Sequence, residues 1–201
     1  MAAEVSAAVR FIVPDALPDV EETGQTFAEN AAIKARSVAP VAGSALVLAD
    51  DSGLIIDVLA GYGGMDLFPG VYSSRWLTPA RCHEIFGEVF GRAMGTEISE
   101  ADKNAAVLRL MAGQQNRNAR YVCAMALYEP ATGHLESLTG VCELLVIAGE
   151  PRGSGGFGYD PIVTPVGGQQ TMAELDICEK NRISHRGEAF RRLLAYLKSR
   201  S

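Results

Sequence analysis

The pattern of hydrophobic and polar positions predicts one helix near each end of the chain. Thr26 is followed three residues later by Glu29, the capping-box signature of a helix start, and the alanine-rich run that follows stops at Pro40. After Ser184, apolar residues recur at helical spacing with charged residues on the opposite side. We expect this last helix to pack on the core through Ala189, Phe190, Leu193, Leu194 and Leu197.

Short apolar runs in the middle of the chain predict strands. Residues 45–49 and 54–59 form mainly apolar runs, and they are separated by Asp50-Asp51-Ser52-Gly53, whose residue types favour a tight reversal between two strands. Residues 120–128 and 134–148 are rich in strand-forming residues and are joined by a Pro-Ala-Thr-Gly segment, which suggests a long antiparallel hairpin. The pattern therefore places an acidic pair at a strand end.

Weaker signals fill the rest of the chain. Residues 9–13 predict a brief strand, and Thr78-Pro79 predicts the start of a helix that runs towards Met94. Ser99-x-x-Asp102 opens another helix, which Gly113 is expected to close. Helices and strands alternate without a repeat or a linker, so residues 1–201 are predicted to form a single α/β domain with a mixed, twisted sheet.

Composition and charge limit the classes of partner. The chain has 201 residues, 48% of them hydrophobic, and a formal net charge of −6 without a dense run of Lys or Arg. Such a protein lacks the basic face that binds nucleic-acid polymers, so DNA or RNA is not an expected partner. If it binds a small polyanion, it must gather positive charge locally through a few side chains, backbone amides and a metal.

The cysteines and the apolar runs predict the compartment. The four cysteines are widely spaced and form no C-x-x-C pair, which is typical of reduced thiols in a cytosolic protein. No uninterrupted apolar stretch reaches ~18 residues, and the first residues do not follow the pattern of a secretory signal. We therefore expect a cytoplasmic protein with no membrane partner.

The acidic pair Asp50-Asp51, with Glu21-Glu22 upstream, is the first candidate for chemistry. Adjacent carboxylates repel, and this repulsion is relieved by protonation, by Lys or Arg, or by a hard divalent cation such as Mg²⁺. A polar β-turn with solvated aspartates also explains the same four residues. The tetrapeptide alone leaves both interpretations open.

Two later segments carry further candidates. Residues 151–161 contain G-x-G-x-x-G, but Pro161 and Pro165 exclude the helix that a dinucleotide fingerprint must open. The segment could instead let a ligand approach its backbone, with Phe157 and Tyr159 as flat surfaces for a base, or it could be a turn whose rings pack inward. Residues 179–187 precede the last helix and offer cationic donors to an anion, or form a solvated charged loop.

Taken in order, these motifs resemble the inosine triphosphate pyrophosphatase family, which hydrolyses non-standard purine nucleoside triphosphates. The resemblance runs from Glu21 to the last helix, and several long motifs that agree in order are more specific than any one of them. The matching stretches are residues 21–30 with Lys34, 49–54, 69–75, 120–123, 151–161, 171–175, 179–181 and 183–187.

The resemblance implies a two-lobed α/β fold around a long mixed sheet flanked by helices, and a homodimer. It also implies a hydrolase of nucleotide metabolism that depends on Mg²⁺ and cleaves ITP, dITP and XTP to the monophosphate and pyrophosphate. Glu21 and Asp51 correspond to the magnesium ligands, and Asp51 also corresponds to the catalytic proton acceptor. The remaining matched positions correspond to residues that bind the substrate: Lys34, Ser52, Phe157, Gly158, Tyr159, Asp160, Lys180, His185 and Arg186.

The chain departs from the family pattern at its beginning. Family members open with a strand and a Thr/Ser-x-Asn-x-x-Lys phosphate loop, and no such motif occurs before Glu21, so we expect a chain that is truncated relative to the family. Two alternative functions follow. One is a catalytically weak or silent remnant that binds nucleotides or dimerises, and the other is a hydrolase for other nucleotides, such as modified pyrimidines.

Overall fold

A computed structural model describes residues 11–13, 16–87 and 98–200 of the chain. Within these residues the chain forms five α-helices and four β-strands. The helices are α1 (Phe27–Ala42), α2 (Pro79–Phe86), α3 (Glu100–Leu110), α4 (Ile177–Ile183) and α5 (His185–Ser199). The strands are β1 (Val47–Ile56), β2 (Asn118–Glu129), β3 (His134–Val146) and β4 (Val163–Pro165).

The four strands form one sheet in the order β1-β2-β3-β4. The sheet is antiparallel throughout the described residues, and β4 pairs with the end of β3 through Val146 opposite Val163. The α/β class with flanking helices is therefore confirmed, as is the hairpin of β2 and β3. The parallel pairings of a mixed sheet do not occur among the strands that are described.

The acidic pair does not lie in a turn. The expected reversal at residues 50–53 is wrong, because β1 continues through these residues as one strand of 10 residues. Successive side chains of a strand point to opposite faces, so Asp50 and Asp51 face different partners. The residue types of this segment favour a turn, but the partners of both carboxylates, which are distant in sequence, hold it in an extended strand.

The helix boundaries follow the capping signals more closely than the proline signal. Thr26 and Glu29 form both hydrogen bonds of the capping box, and Ser99 and Asp102 do the same for α3. The stop expected at Pro40 is wrong, because α1 continues two residues beyond it to a cap at Gly43. α2 ends at Phe86, and the extension expected towards Met94 lies outside the described residues.

The beginning of the chain carries no strand in its described part. Residues 11–13 are exposed and have no regular structure, so the brief strand expected at residues 9–13 is not found there. The first two positions of that expectation lie outside the described residues. Among the residues described, no helix is both long and apolar enough to cross a membrane.

Contacts within the chain divide it into two compact units. The first unit comprises Met1–Ser52, Val122–Cys142 and Asn181–Ser201. Its core joins β2 to α5, as the apolar spacing of the last helix predicts. The buried members are Cys123, Met125, Leu127, Ala189 and Leu193, with Leu48, Leu138, Phe190, Tyr196 and Leu197 packed against them.

The second unit comprises Gly53–Tyr121 and Glu143–Lys180. Phe68 and Trp76 are fully buried in it, and their rings meet edge to face with centroids 4.7 Å apart. The indole nitrogen of Trp76 donates a hydrogen bond of 2.7 Å to the hydroxyl of Tyr159. This aromatic core supports the glycine-rich segment that contains Tyr159.

Candidate active site

Asp51 is a buried carboxylate whose two oxygens are both held by α1. Its side chain is at the centre of β1, and the residue is only 8% exposed. Lys34 donates to Oδ1 at 2.8 Å, and the amide of Asn30 donates to Oδ2 at 3.2 Å. The two donors lie one helical turn apart, so they face the same side of α1. Asp51 is thereby fixed in one orientation.

Lys34 bridges two carboxylates in this cluster. Its ammonium lies 2.8 Å from Asp51 Oδ1 and 2.9 Å from Glu22 Oε1. Burial disfavours the charged form of Lys34, but the hydrogen bonds to Asp51 and Glu22 outweigh it and raise the pKa of Lys34 above its usual value of 10.5. The lysine is therefore a fixed cation at neutral pH. The family resemblance assigns Glu21 to this site. Glu21 is exposed, however, and the carboxylate that contacts Lys34 belongs to Glu22.

Asp50, on the other face of β1, pairs with the first turn of α5. Its Oδ2 accepts a hydrogen bond of 3.1 Å from Nε of Arg186 and lies 3.8 Å from the sulfur of Cys123. Burial, followed by the charge of Asp50, raises the pKa of Cys123 to about 12. Arg186 stays about one-third exposed, whereas His185 beside it is buried. The structure thus brings Arg186 to the acidic pair but leaves part of its guanidinium open to solvent.

Asp160 is the centre of a second cluster, which lies in the second unit. The residue is 2% exposed and accepts hydrogen bonds from the hydroxyl of Tyr121 and from the backbone N–H of Phe157. Lys180 completes the set with an ion pair of 2.5 Å. A buried charge is tolerated only when it is paired and hydrogen-bonded, and Asp160 satisfies both conditions. This carboxylate therefore fixes the glycine-rich segment rather than offering itself to a ligand.

The two aromatic rings of the glycine-rich segment have different environments. Phe157 is 61% exposed, and the ammonium of Lys180 lies 4.7 Å from the centre of its ring. Tyr159 is buried, and its hydroxyl donates to the carbonyl of Ser73 in addition to accepting from Trp76. Burial raises the pKa of Tyr159. Of the two rings that the sequence offers to a base, only that of Phe157 is accessible.

Gly156 is required by the geometry of this second cluster. Its φ of +73° lies in the left-handed region that side chains disfavour. A Cβ atom at this position would lie 2.1 Å from Asp160 Oδ2 and 2.6 Å from the nitrogen of Lys180. The glycine therefore permits the buried ion pair. The next glycine, Gly158, is held by its carbonyl, which accepts a hydrogen bond of 3.1 Å from Asn104.

The donor set around Asp51 suits a hard divalent cation. Carboxylate oxygens are the groups that such a cation prefers, and Glu22 and Asp51 supply them. The ammonium of Lys34 already lies between these two carboxylates, so the space between them accommodates a positive charge. The described part of the chain contains no group of three or more His, Cys, Asp or Glu side chains placed to hold a metal by themselves. Mg²⁺ in nucleotide enzymes is commonly held by one or two carboxylates together with substrate phosphates, and this site fits that arrangement.

The structure assigns contacts to residues that the sequence does not single out as site residues. Asn30 holds Asp51, Tyr121 holds Asp160, and Asn104 holds Gly158. No local pattern identifies them, because each acts on a residue at least 21 positions away. Ser52 is half-buried in β1 beside Asp51, and its role in substrate binding stays a prediction.

Comparison with known proteins places these motifs in a family. The sequence profile of the Ham1 family matches residues 2–196. The dITP/XTP pyrophosphatase of Gloeobacter violaceus is 44% identical over 191 residues, which cover 94% of this chain and 83% of that protein. The dITP/XTP pyrophosphatase of Rhodospirillum centenum is 44% identical over 179 residues, which cover 89% and 77% of the two chains.

A solved structure agrees with these sequences. The structure of a HAM1 protein from Coxiella burnetii matches with a TM-score of 0.73 and 40% identity, covering 91% of this chain and 82% of that one. The match extends over both compact units, so it does not rest on a single motif. The chain belongs to the Ham1 family.

Proposed function

We propose that this protein is a magnesium-dependent pyrophosphatase of non-standard purine nucleoside triphosphates, including ITP, dITP and XTP. The observation that carries the proposal is Asp51, a buried carboxylate in the middle of β1 whose orientation is fixed by Lys34 and Asn30. Relatives named dITP/XTP pyrophosphatase, at 40–44% identity, support the substrate class. The products are the nucleoside monophosphate and pyrophosphate.

In the proposed reaction, Asp51 accepts a proton from the water that attacks the α-phosphorus. Asp51 suits this role because Lys34 and Asn30 hold its oxygens in place before the substrate binds. Lys34 adds positive charge, which stabilises negative charge that develops on the phosphate oxygens. Ser52, the next residue of β1, contributes a hydroxyl donor to the phosphates.

Mg²⁺ would be held by Asp51 and by a carboxylate of the Glu21-Glu22 pair. When bound, it supplies neutralisation of charge on the pyrophosphate leaving group. Glu22 is the member of the pair that contacts Lys34, and the exposed Glu21 is the member that the family resemblance favours. Substitution of each glutamate by glutamine separates the two assignments. Only the loss of the true ligand should raise the Mg²⁺ concentration that is needed for half-maximal rate.

The exposed ring of Phe157 is proposed to stack on the purine base. Its neighbours Gly158, Tyr159 and Asp160 contribute backbone groups and a rigid frame, and Lys180 fixes that frame through Asp160. Arg186 and His185 are proposed to recognise the base. A guanidinium favours a 6-oxo acceptor and leaves the 6-amino group of adenine unpaired, so this proposal predicts selection against ATP.

Two further properties belong to the proposal. We place the enzyme in the cytoplasm, which agrees with four cysteines that are widely spaced and form no C-x-x-C pair. We also propose that it acts as a homodimer, as the family resemblance implies. Sedimentation at micromolar concentration would test the second property, and a single species with the mass of one chain would contradict it.

Pyrophosphate release from dITP with Mg²⁺ tests the proposed function. Wild-type protein is expected to release pyrophosphate, and Asp51→Asn is expected to lose roughly 100-fold or more in kcat. The control is Asp57→Asn, which removes an exposed carboxylate six residues away and is expected to retain activity. Unchanged activity in Asp51→Asn would contradict the proposed mechanism.

The same assay separates the alternative functions. Binding of ITP detected by calorimetry without turnover would indicate a silent nucleotide-binding protein. Equal rates with dITP, XTP, dUTP and dGTP would contradict selection for the 6-oxo purine pattern and would favour a hydrolase of broader range.

A further inference from the structure

We propose that Asn30 is a positioning residue that holds Asp51 and the loop of residues 21–24 in one fixed arrangement. The inference rests on the proposed function, because the arrangement matters only if Asp51 accepts the proton. Asn30 is named by neither the sequence patterns nor the family resemblance as a site residue. It belongs to the same compact unit as both groups that it joins.

The amide of Asn30 makes one directed hydrogen bond at each end. Its nitrogen donates to Asp51 Oδ2 at 3.2 Å, and its oxygen accepts from the backbone N–H of Gly24 at 2.8 Å. A carboxylate can only accept and a backbone N–H can only donate, so the two partners fix which end of the amide faces which. Asn30 therefore connects the loop to Asp51 through a single rigid group.

The fold of α1 does not require an amide at this position. The start of α1 is already capped by Thr26 and Glu29, and asparagine is a poorer helix former than alanine. Asn30 is 0% exposed, and burial of an amide is costly unless its hydrogen bonds are made. An apolar residue would serve the helix better, so the amide of Asn30 serves the two groups that it joins.

The loop lies directly against the amide. A Cβ atom on Gly24 would lie 2.6 Å from Asn30 Oδ1 and 2.7 Å from the Cβ of Glu29, so only glycine allows this approach. Two positions earlier in the loop, Glu22 is tied to Asp51 through Lys34. Two parallel bridges, one helical turn apart on α1, therefore hold the acidic loop and the proposed proton acceptor in register.

Three variants separate positioning from stability. Asn30→Ala removes both hydrogen bonds. Asn30→Asp keeps the acceptor for Gly24 and loses the donor to Asp51. The matched control is Ala35→Gly, which weakens the buried face of the same helix by about 1 kcal/mol, as glycine does in helices, without removing a hydrogen-bonding group.

The expected result is a loss of kcat with both Asn30 variants. Each should lower kcat for dITP roughly 10- to 100-fold, as displacement of a catalytic group does, while KM stays within about twofold. Hydrogen exchange at the Gly24 amide should be fast in Asn30→Ala and remain slow in Asn30→Asp. Ala35→Gly should show a lower melting temperature with kcat close to that of the wild type.

Several outcomes would overturn the inference. Full activity of Asn30→Ala would show that the bridge is dispensable, and a loss confined to Asn30→Asp would trace the effect to the added charge. If Ala35→Gly loses as much kcat as Asn30→Ala, the role of Asn30 is only structural. If the Asn30 variants do not fold, Gly24→Ala displaces the loop instead, and full activity there would overturn the inference. A wild-type protein inactive on dITP would refute the proposed function itself.

Discussion

Replacement of Lys180 by methionine should destabilise the protein more than the same change at any exposed ion pair. The variant leaves the carboxylate of Asp160 buried at 2% exposure without its cation. Breaking a buried pair from one side costs about 3–5 kcal/mol. Asp160 keeps its hydrogen bonds from Tyr121 and Phe157, so we expect the lower end, about 3 kcal/mol.

Lys103→Met is the matched control for this prediction. The side chain of Lys103 is 8% exposed and that of Lys180 is 11% exposed, so the two substitutions remove an ammonium group from side chains that are buried to a similar extent. Their partners differ, because Glu100 is 55% exposed and stays hydrated when its lysine is removed. We therefore expect a loss of about 1 kcal/mol or less for Lys103→Met.

Thermal unfolding followed by the fluorescence of the single tryptophan, Trp76, compares the two variants within the second unit. At about 2–4 °C per kcal/mol for a chain of this size, Lys180→Met should melt about 6–12 °C below the wild type. Lys103→Met should melt no more than about 4 °C below it. Equal losses in the two variants would show that the burial of Asp160 without its cation carries no cost.

Three further predictions follow from single contacts. Gly156→Ala would place a Cβ atom 2.1 Å from Asp160 Oδ2, so we expect a melting temperature at least as low as that of Lys180→Met. A melting temperature equal to that of the wild type would contradict the close approach of Gly156 to Asp160. Arg186→Met breaks the half-exposed ion pair with Asp50, so it should cost less than about 1 kcal/mol of stability. The KM for dITP should rise roughly tenfold or more, and an unchanged KM would exclude Arg186 from substrate binding. Burial raises the pKa of Cys123 to about 12, so its reactive thiolate is scarce at pH 8. Iodoacetamide and peptide mass analysis should therefore find label on the exposed Cys178 in the folded protein and on Cys123 only in urea. Equal labelling of both in the folded protein would contradict the burial of Cys123.

Local sequence signals predict the helix starts well and the path of β1 poorly. Thr26 with Glu29 and Ser99 with Asp102 act within four residues, so their hydrogen bonds can be identified from spacing alone. Asp50-Asp51-Ser52-Gly53 has the residue types of a turn, but partners on α1 and α5 hold its carboxylates and the segment stays extended. Such partners, up to 136 positions away, cannot be deduced from local propensity.

The site divides in the same way. Family motifs indicate Asp51, Lys34 and the Phe157–Asp160 segment, and the structure joins Lys34 to Asp51 and Lys180 to Asp160 by direct contacts. The buried amide of Asn30 depends on packing, so the sequence does not reveal it. The sequence leaves two positions open for the ring of Tyr159, and packing selects the inward one. The choice between Glu21 and Glu22 likewise depends on the side of the loop that faces Lys34.

Hydrolysis of dITP in water enriched in ¹⁸O identifies the phosphorus atom that the water attacks. If Asp51 activates water for attack on the α-phosphorus, mass spectrometry should find one ¹⁸O atom in the deoxyinosine monophosphate and none in the pyrophosphate. Asp51→Asn should abolish this incorporation under the same conditions. Label in orthophosphate, or in the pyrophosphate, would place the attack at another phosphorus and would contradict the account.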